Sequence, residues 1–188
     1  LSAFPSQWQL HAAAHWVRNG GVIAYPTEAV FGLGCDPAQR RAVERILTLK
    51  CRPAAQGLIL IASEWRQLQP WLIPVPSRWE DKLRRSWPGP VTWLIPANRS
   101  CPRWLTGDHD SLAVRVSAHP LVRRLCDALD RAIVSTSANR SGHRPARSVL
   151  DVRLQFGARL DFVLPGRLGT LEKPTPILDL ASGRVVRN

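Results

Sequence analysis

Apolar positions along the chain recur in short pieces whose spacing switches between the helical and the extended period. Leu10, Ala13, Ala14 and Val17 fall on one face of a helix. Ser6 followed by Gln9 makes a capping box at its start, and Asn19-Gly20-Gly21 supplies its stop. Residues 22–25 form a short apolar run that predicts a buried strand entering a turn at Pro26-Thr27-Glu28. Asp36-Pro37 is expected to cap a second helix with proline at its first position, and Val43, Ile46 and Leu47 give that helix its apolar stripe. A strand follows at 58–62, and Ser77 with Glu80 predicts a second capping box for a helix that Pro88-Gly89-Pro90 ends. Further strands are expected at 91–95, 112–116, 133–135 and near 162–164, 177–180 and 184–186, with helices at 120–129 and after a Ser148 cap. The stretch 96–110 reads as a long surface loop. Strands and helices in alternation predict an α/β fold.

Composition narrows the class. At 188 residues and 45% hydrophobic, the chain can bury one sizeable core, and 1–188 is expected to form a single domain without repeats or linkers. The longest apolar run, 58–62, is far short of the roughly 18 residues that a membrane-spanning helix needs. Residues 1–18 lack the basic and then apolar order of a secretory signal, so a cytoplasmic location is expected. Cys35, Cys51, Cys101 and Cys126 contain no Cys-x-x-Cys pair, which argues against structural zinc and fits small, buried, reduced thiols.

A formal charge of +12, from 26 cations against 14 anions, attracts polyanions, with nucleic acid or a nucleotide the usual partner. Only Lys50, Lys82 and Lys173 among the cations are lysines, a skew toward arginine that a GC-rich genome produces unaided. Against that background a lysine at a particular place suggests that a compact ammonium is wanted there.

Five clusters could carry chemistry. Tyr25-Pro26-Thr27-Glu28-Ala29-Val30-Phe31-Gly32-Leu33-Gly34 runs from a strand into a glycine-punctuated loop, exposing a hydroxyl, a carboxylate and backbone amides at a strand end, where α/β folds bind ligands. It lacks the third glycine of a dinucleotide fingerprint and the Lys-Ser/Thr of a phosphate loop, so a plain turn is the competing reading. Lys50-Cys51-Arg52-Pro53 ends a helix, where cations either complement the helix dipole or clamp a polyphosphate. Ser135-Thr136-Ser137-Ala138-Asn139-Arg140-Ser141-Gly142 is either a cap and turn or a polar cradle, and no Gly-x-Ser-x-Gly elbow marks Ser137 as a nucleophile. Trp87-Pro88-Gly89-Pro90-Val91-Thr92 and Ser111-Leu112-Ala113-Val114-Arg115-Val116 complete the set. Arg115, in an apolar strand, requires an anion, from either a protein carboxylate or a ligand. The five histidines show no ligand spacing for a protein-held metal.

In this order the five motifs resemble the YrdC/TsaC family of threonylcarbamoyl-AMP synthases, in its short single-domain bacterial form. The resemblance implies a twisted, mainly parallel or mixed sheet flanked by helices around a positively charged concave site. It implies an enzyme that joins L-threonine, bicarbonate and ATP into threonylcarbamoyl-AMP and pyrophosphate for the t6A modification of tRNA. Lys50 and Arg52 would bind the ATP phosphates and stabilise their charge, with Ser137, Asn139 and Arg187 completing the nucleotide site. Arg115 would pair with the threonine carboxylate, and Thr27, Ser135 and Thr175 would line that pocket. Mg²⁺ would arrive with ATP, with no metal held by the protein.

The chain departs from the family where many relatives have Pro-Leu and a histidine after Lys-x-Arg; here it reads Gln56-Gly57-Leu58-Ile59-Leu60-Ile61. Its tail, Pro174-Thr175-Pro176-Ile177-Leu178-Asp179, also differs from the usual Ser-Thr-Ile-Val-Asp. Contact with tRNA or double-stranded RNA and a link to the tRNA threonylcarbamoyl transferase complex are further expectations. A non-catalytic RNA-binding or ribosome-maturation factor on the same fold is the alternative, favoured by the basic surplus and the eight tryptophans.

Overall fold

The computed structural model describes residues 5–187. Helix α1 (Gln7–Arg18) begins with the Ser6/Gln9 capping box, both reciprocal bonds formed, and buries Leu10, Ala13, Ala14 and Val17. Strands β1 (Ile23–Pro26) and β2 (Phe31–Gly34) make an antiparallel hairpin. Helix α2 (Arg40–Lys50) leads to β3 (Ile59–Ala62), and α3 (Ser77–Ser86) to β4 (Thr92–Pro96). A short α4 (Arg103–Thr106), β5 (Ser111–Val116), α5 (Pro120–Leu129) and β6 (Ile133–Ser137) follow. Helix α6 (Val149–Phe156), again with a complete capping box at Ser148, precedes β7 (Phe162–Val163), β8 (Ile177–Asp179) and β9 (Val185–Arg187).

The nine strands lie in one sheet in the order β7-β1-β2-β6-β3-β5-β4-β8-β9. Three neighbouring pairs are parallel (β1/β7, β3/β5, β4/β8) and five antiparallel, so the sheet is mixed, not mainly parallel. Period-two alternation divides the apolar side chains between two layers. Ala24, Leu60, Ala62, Val114 and Val134 join α2 in the larger core, while Ile23, Tyr25, Ile61 and Ile133 pack with α1 and α5.

That alternation also sets where the site can form. Arg115 registers with Ile61, which registers with Ile133; Ala113, Ile59 and Ser135 make the next row, and Gly32 faces Ser137. Registered partners point to the same side of a sheet, so Arg115, Ser135, Gly32 and Ser137 share the face on which Ile61 and Ile133 meet α1 and α5. Where those helices end, this face becomes the floor of a cavity.

Four expectations are corrected. Asp36-Pro37 does not open α2: the Asp36 carboxylate accepts from Ala38 N at 2.9 Å and from Arg131 Nη1 at 2.8 Å, closing a turn, and the helix starts at Arg40. Ser77 is not a cap; Pro76 holds that place without a side-chain bond, and Glu80 pairs with Arg84 at 3.2 Å. The supposed glycine loop after Phe31 is strand β2. The 96–110 stretch contains α4. Of the cysteines, Cys35 and Cys126 are buried, but Cys51 is exposed and Cys101 half-buried. Among the described residues no helix is long and apolar enough to cross a membrane.

Candidate active site

The turn between β1 and β2 starts the site. Thr27 N and Oγ1 both donate to Val30 O, at 3.0 and 2.7 Å, so the turn is pinned and Thr27 and Glu28 are buried beside the sheet. Glycine is needed in β2 for space. A Cβ on Gly34 would meet Tyr25 Cε1 at 2.6 Å and Val134 O at 2.8 Å. One on Gly32 would lie 3.3 Å from Thr27 Cγ2 and 3.5 Å from Ser135 Oγ, intruding between two of the residues expected around threonine.

A cavity of about 280 Å³ is lined by Thr27, Glu28, Gly32, Arg52, Arg115, Ser135, Ser137, Thr175 and Arg187, among others. Seven of the nine residues proposed from sequence therefore meet there. Lys50 and Asn139 do not line it but stand directly behind. Lys50, at the end of α2, donates from Nζ to the carbonyls of Ser137 and Asn139 and to Asn139 Oδ1 at 3.3 Å. Ser141 N donates to Lys50 O at 2.8 Å, and Ser137 Oγ donates to Asn139 Oδ1 at 2.6 Å, so the helix end and the loop after β6 form one unit. The α2 cap, Cys51, adopts a left-handed conformation (φ 51°) that reverses the chain and sends Arg52 to the cavity.

The cations at this end resist one another. Lys50 has its pKa lowered to about 8, first by burial and then by Arg52 and Arg187. Arg52 and Arg187 are each held below the ordinary arginine value, again by loss of solvent first, then by Arg187 and Arg115 respectively. Among the described residues none of the three forms an ion pair with a carboxylate. The Arg52 guanidinium donates only to carbonyls, the closer being Gly57 O at 2.9 Å, and its Nε is buried without a partner.

Arg115 sits differently, and here the expectation that substrate supplies its missing anion is corrected. Its Nη2 donates to Glu28 Oε2 at 3.1 Å, and its Nη1 donates to Thr175 Oγ1 and, at 3.2 Å, to Thr92 Oγ1. Its Nε is buried without a partner. Sequence reasoning gave no role to Glu28, Ser117 or Thr92. The signal for Glu28 was the demand of Arg115 for an anion, but nothing in the sequence joins positions 87 residues apart.

A larger hollow of about 840 Å³ lies between Trp65, Leu72, Leu83 and Trp87. Its chemistry is poorer: Arg84 is paired with Glu80, and Arg123 is bonded to the carbonyls of Ser63 and Ser117. The smaller cavity, where cations and hydroxyls converge, is the better candidate. Among the described residues no group of three or more His, Cys, Asp or Glu side chains could hold a metal.

The family described as telomere recombination, Sua5/YciO/YrdC, matches residues 15–188. A protein of Halorhodospira halophila named threonylcarbamoyl-AMP synthase is 59% identical over 177 residues, 94% of this chain and 92% of that one. One of the same name from Nitrosococcus oceani is 52% identical over 180 residues, 96% of this chain and 97% of its own. Among solved structures, P. abyssi Sua5 complexed with L-threonine superimposes with a TM-score of 0.89 at 32% identity; the match takes in 96% of this chain but only 53% of that longer one. With a family match over nearly all of its length and relatives above half identity, the chain belongs to the Sua5/YciO/YrdC family.

Proposed function

We propose that the chain is a threonylcarbamoyl-AMP synthase, forming threonylcarbamoyl-AMP and pyrophosphate from L-threonine, bicarbonate and ATP. The observation that carries the reading is one cavity whose lining brings together Arg115, Thr27, Ser135 and Thr175, expected around threonine, with Arg52, Arg187 and Ser137, expected around the nucleotide. The names of the close relatives and the threonine-bound neighbour support it.

In the proposed reaction, the threonine ammonium first loses a proton to solvent, and the free amine condenses with bicarbonate to a carbamate, releasing water. A carbamate oxygen then forms a bond to the α-phosphorus as the bond to pyrophosphate breaks. The carbamate is already an anion, so no strong general base is required of the protein. Its tasks are to hold two anionic reactants in line and to stabilise charge on the phosphates. Arg52 and Arg187 contact the polyphosphate, while Lys50 carries charge from behind and braces Ser137 and Asn139. Arg115 faces the threonine carboxylate with its guanidinium charge, and the hydroxyls of Thr27, Ser135 and Thr175 complete that pocket. Mg²⁺ enters as part of the ATP substrate, held by phosphate oxygens; both oxygens of Glu28, the one carboxylate lining the cavity among the described residues, are already engaged by donors.

The product would serve t6A modification of tRNA in the cytoplasm, through a tRNA threonylcarbamoyl transferase complex. The +12 charge favours a second reading, an RNA-binding factor on this fold. Release of pyrophosphate from ATP separates the two. The synthase requires release that depends on both threonine and bicarbonate; tight RNA binding without such release would install the alternative.

A further inference from the structure

Among the described residues Glu28 is the one anion lining a cavity of cations, and the reaction as proposed gives it no contact with the reacting atoms. We infer that Glu28 is a positioning residue for the amino-acid end: it fixes the Arg115 guanidinium and balances its charge, so that this end accepts a zwitterion and turns away polyphosphate. The inference rests on the proposed function.

The carboxylate is fastened on every side. Oε2 accepts from Arg115 Nη2 at 3.1 Å and Oε1 from Ser117 Oγ at 2.6 Å. Ser117 Oγ in turn accepts from His119 N at 3.1 Å, which aims the hydroxyl proton at Glu28. The backbone is held too: Gly169 N donates to Thr27 O at 2.9 Å and Leu171 N to Glu28 O at 3.1 Å. The strap carrying Gly169 lies so close that a Cβ there would be 2.6 Å from Glu28 O. With Glu28 on Nη2 and two threonine hydroxyls on Nη1, the guanidinium plane is set before any ligand arrives.

A general-base role does not fit this geometry. Both carboxylate oxygens already accept hydrogen bonds, one from a guanidinium and one from the Ser117 hydroxyl, so neither is directed at a substrate proton. Charge balance fits better. Free threonine is a zwitterion with no net charge, matched to an Arg–Glu pair, whereas a polyphosphate finds its match in the unbalanced Arg52, Arg187 and Lys50. Without Glu28 the cavity would be cationic from end to end and would lose its means of seating the two substrates in the right order.

Glu28→Gln keeps the size and an acceptor while deleting the charge, and steady-state kinetics of pyrophosphate release read the result. The expected outcome is a KM for threonine raised about tenfold or more, with the KM for ATP within about twofold of wild type. Pyrophosphate, competitive only with ATP in the wild type, becomes competitive with threonine as well. Ser117→Ala removes the second tether alone and raises the threonine KM by about threefold; it decides the matter should Glu28→Gln fail to fold. A threonine KM unchanged in a folded variant, or both KM values rising together with a fall in Tm, overturns the inference. Wild-type protein without threonine-dependent release would instead overturn the proposed reaction. Calorimetric titration of threonine into wild type and Glu28→Gln then still tests the Glu28 role.

Discussion

In the site Arg115 lies against Glu28 and two threonine hydroxyls, while Lys50 and Arg52, at and just past the end of α2, have among the described residues only carbonyls, a hydroxyl and an amide oxygen as partners. Both ends bury cations, yet they solve the cost in opposite ways. The Arg115 end is neutralised within the fold, so neither charge is left buried alone. The Lys50 end has no carboxylate partner among the described residues: burial first, and neighbouring cations second, lower the pKa values of Lys50, Arg52 and Arg187, and the missing counter-charge is what a polyphosphate supplies. A cation stabilised by the fold is a structural asset that also binds; a cation strained by the fold is a binding device kept at the expense of stability.

The contrast makes removal of a single arginine diagnostic, because the two ends should respond with opposite signs. Arg115→Ala leaves a buried carboxylate unpaired and should lower unfolding stability by about 3–5 kcal/mol, measured by urea denaturation. The double variant Arg115→Met, Glu28→Leu should recover most of that loss, since two apolar groups replace a pair whose desolvation was costly. Equal instability of the single and double variants would show that Glu28 is not the partner that matters.

Arg52→Ala should do the reverse. Like-charge repulsion is relieved, so the variant should be no less stable than wild type, while ATP affinity falls by about 10- to 100-fold through loss of a charge-assisted contact. Calorimetry of ATP binding with a parallel denaturation curve reads both halves. A destabilised Arg52→Ala with normal ATP affinity would erase the distinction between the ends. Inorganic pyrophosphate sharpens it further: saturating amounts should raise the Tm of wild type and leave that of Arg52→Ala nearly unmoved, since only a ligand that binds the folded chain stabilises it.

The two ends also differ in how readily the sequence disclosed them. Local rules served well: the Ser6 and Ser148 caps form as expected, and α5 runs from Pro120 to Leu129 because proline presets its first turn. The motif Lys50-x-Arg52 is local too, and its placement follows from one helix end and one left-handed residue. The Arg115 end depends on register between distant strands, with Thr92 at the start of β4, and on loops folding back at residues 117, 169 and 175, so its partners cannot be read from neighbours in sequence. Strand β2 escaped for a related reason. Its alternate glycines look like loop residues, yet they are required by the Tyr25 ring and by the cavity floor, two features that exist only after folding. Asp36 and Ser77 misled because a residue suited to capping can be claimed by a better offer, Arg131 in the one case and a helix starting one residue earlier in the other.

The smallest expected effect concerns Lys50 and pH. Its pKa stands at about 8 in the folded chain, below the ordinary 10.5, so the unfolded chain holds the proton more tightly. Below about pH 8 both states are protonated and the burial penalty is fully present; as pH rises from about 8 toward 10.5, the folded state sheds its proton first and stability grows. Between pH 7 and 8.5 the unliganded protein should therefore gain under about 1 kcal/mol from this group. ATP affinity should move the other way, falling about fourfold over the same interval as the ammonium behind Ser137 and Asn139 is lost. Lys50→Arg, which stays charged throughout, should flatten both slopes. If its pH profiles kept the wild-type form, the proton in question would belong to another group, and Lys50 would be a brace for the loop after β6 without an electrostatic part in binding.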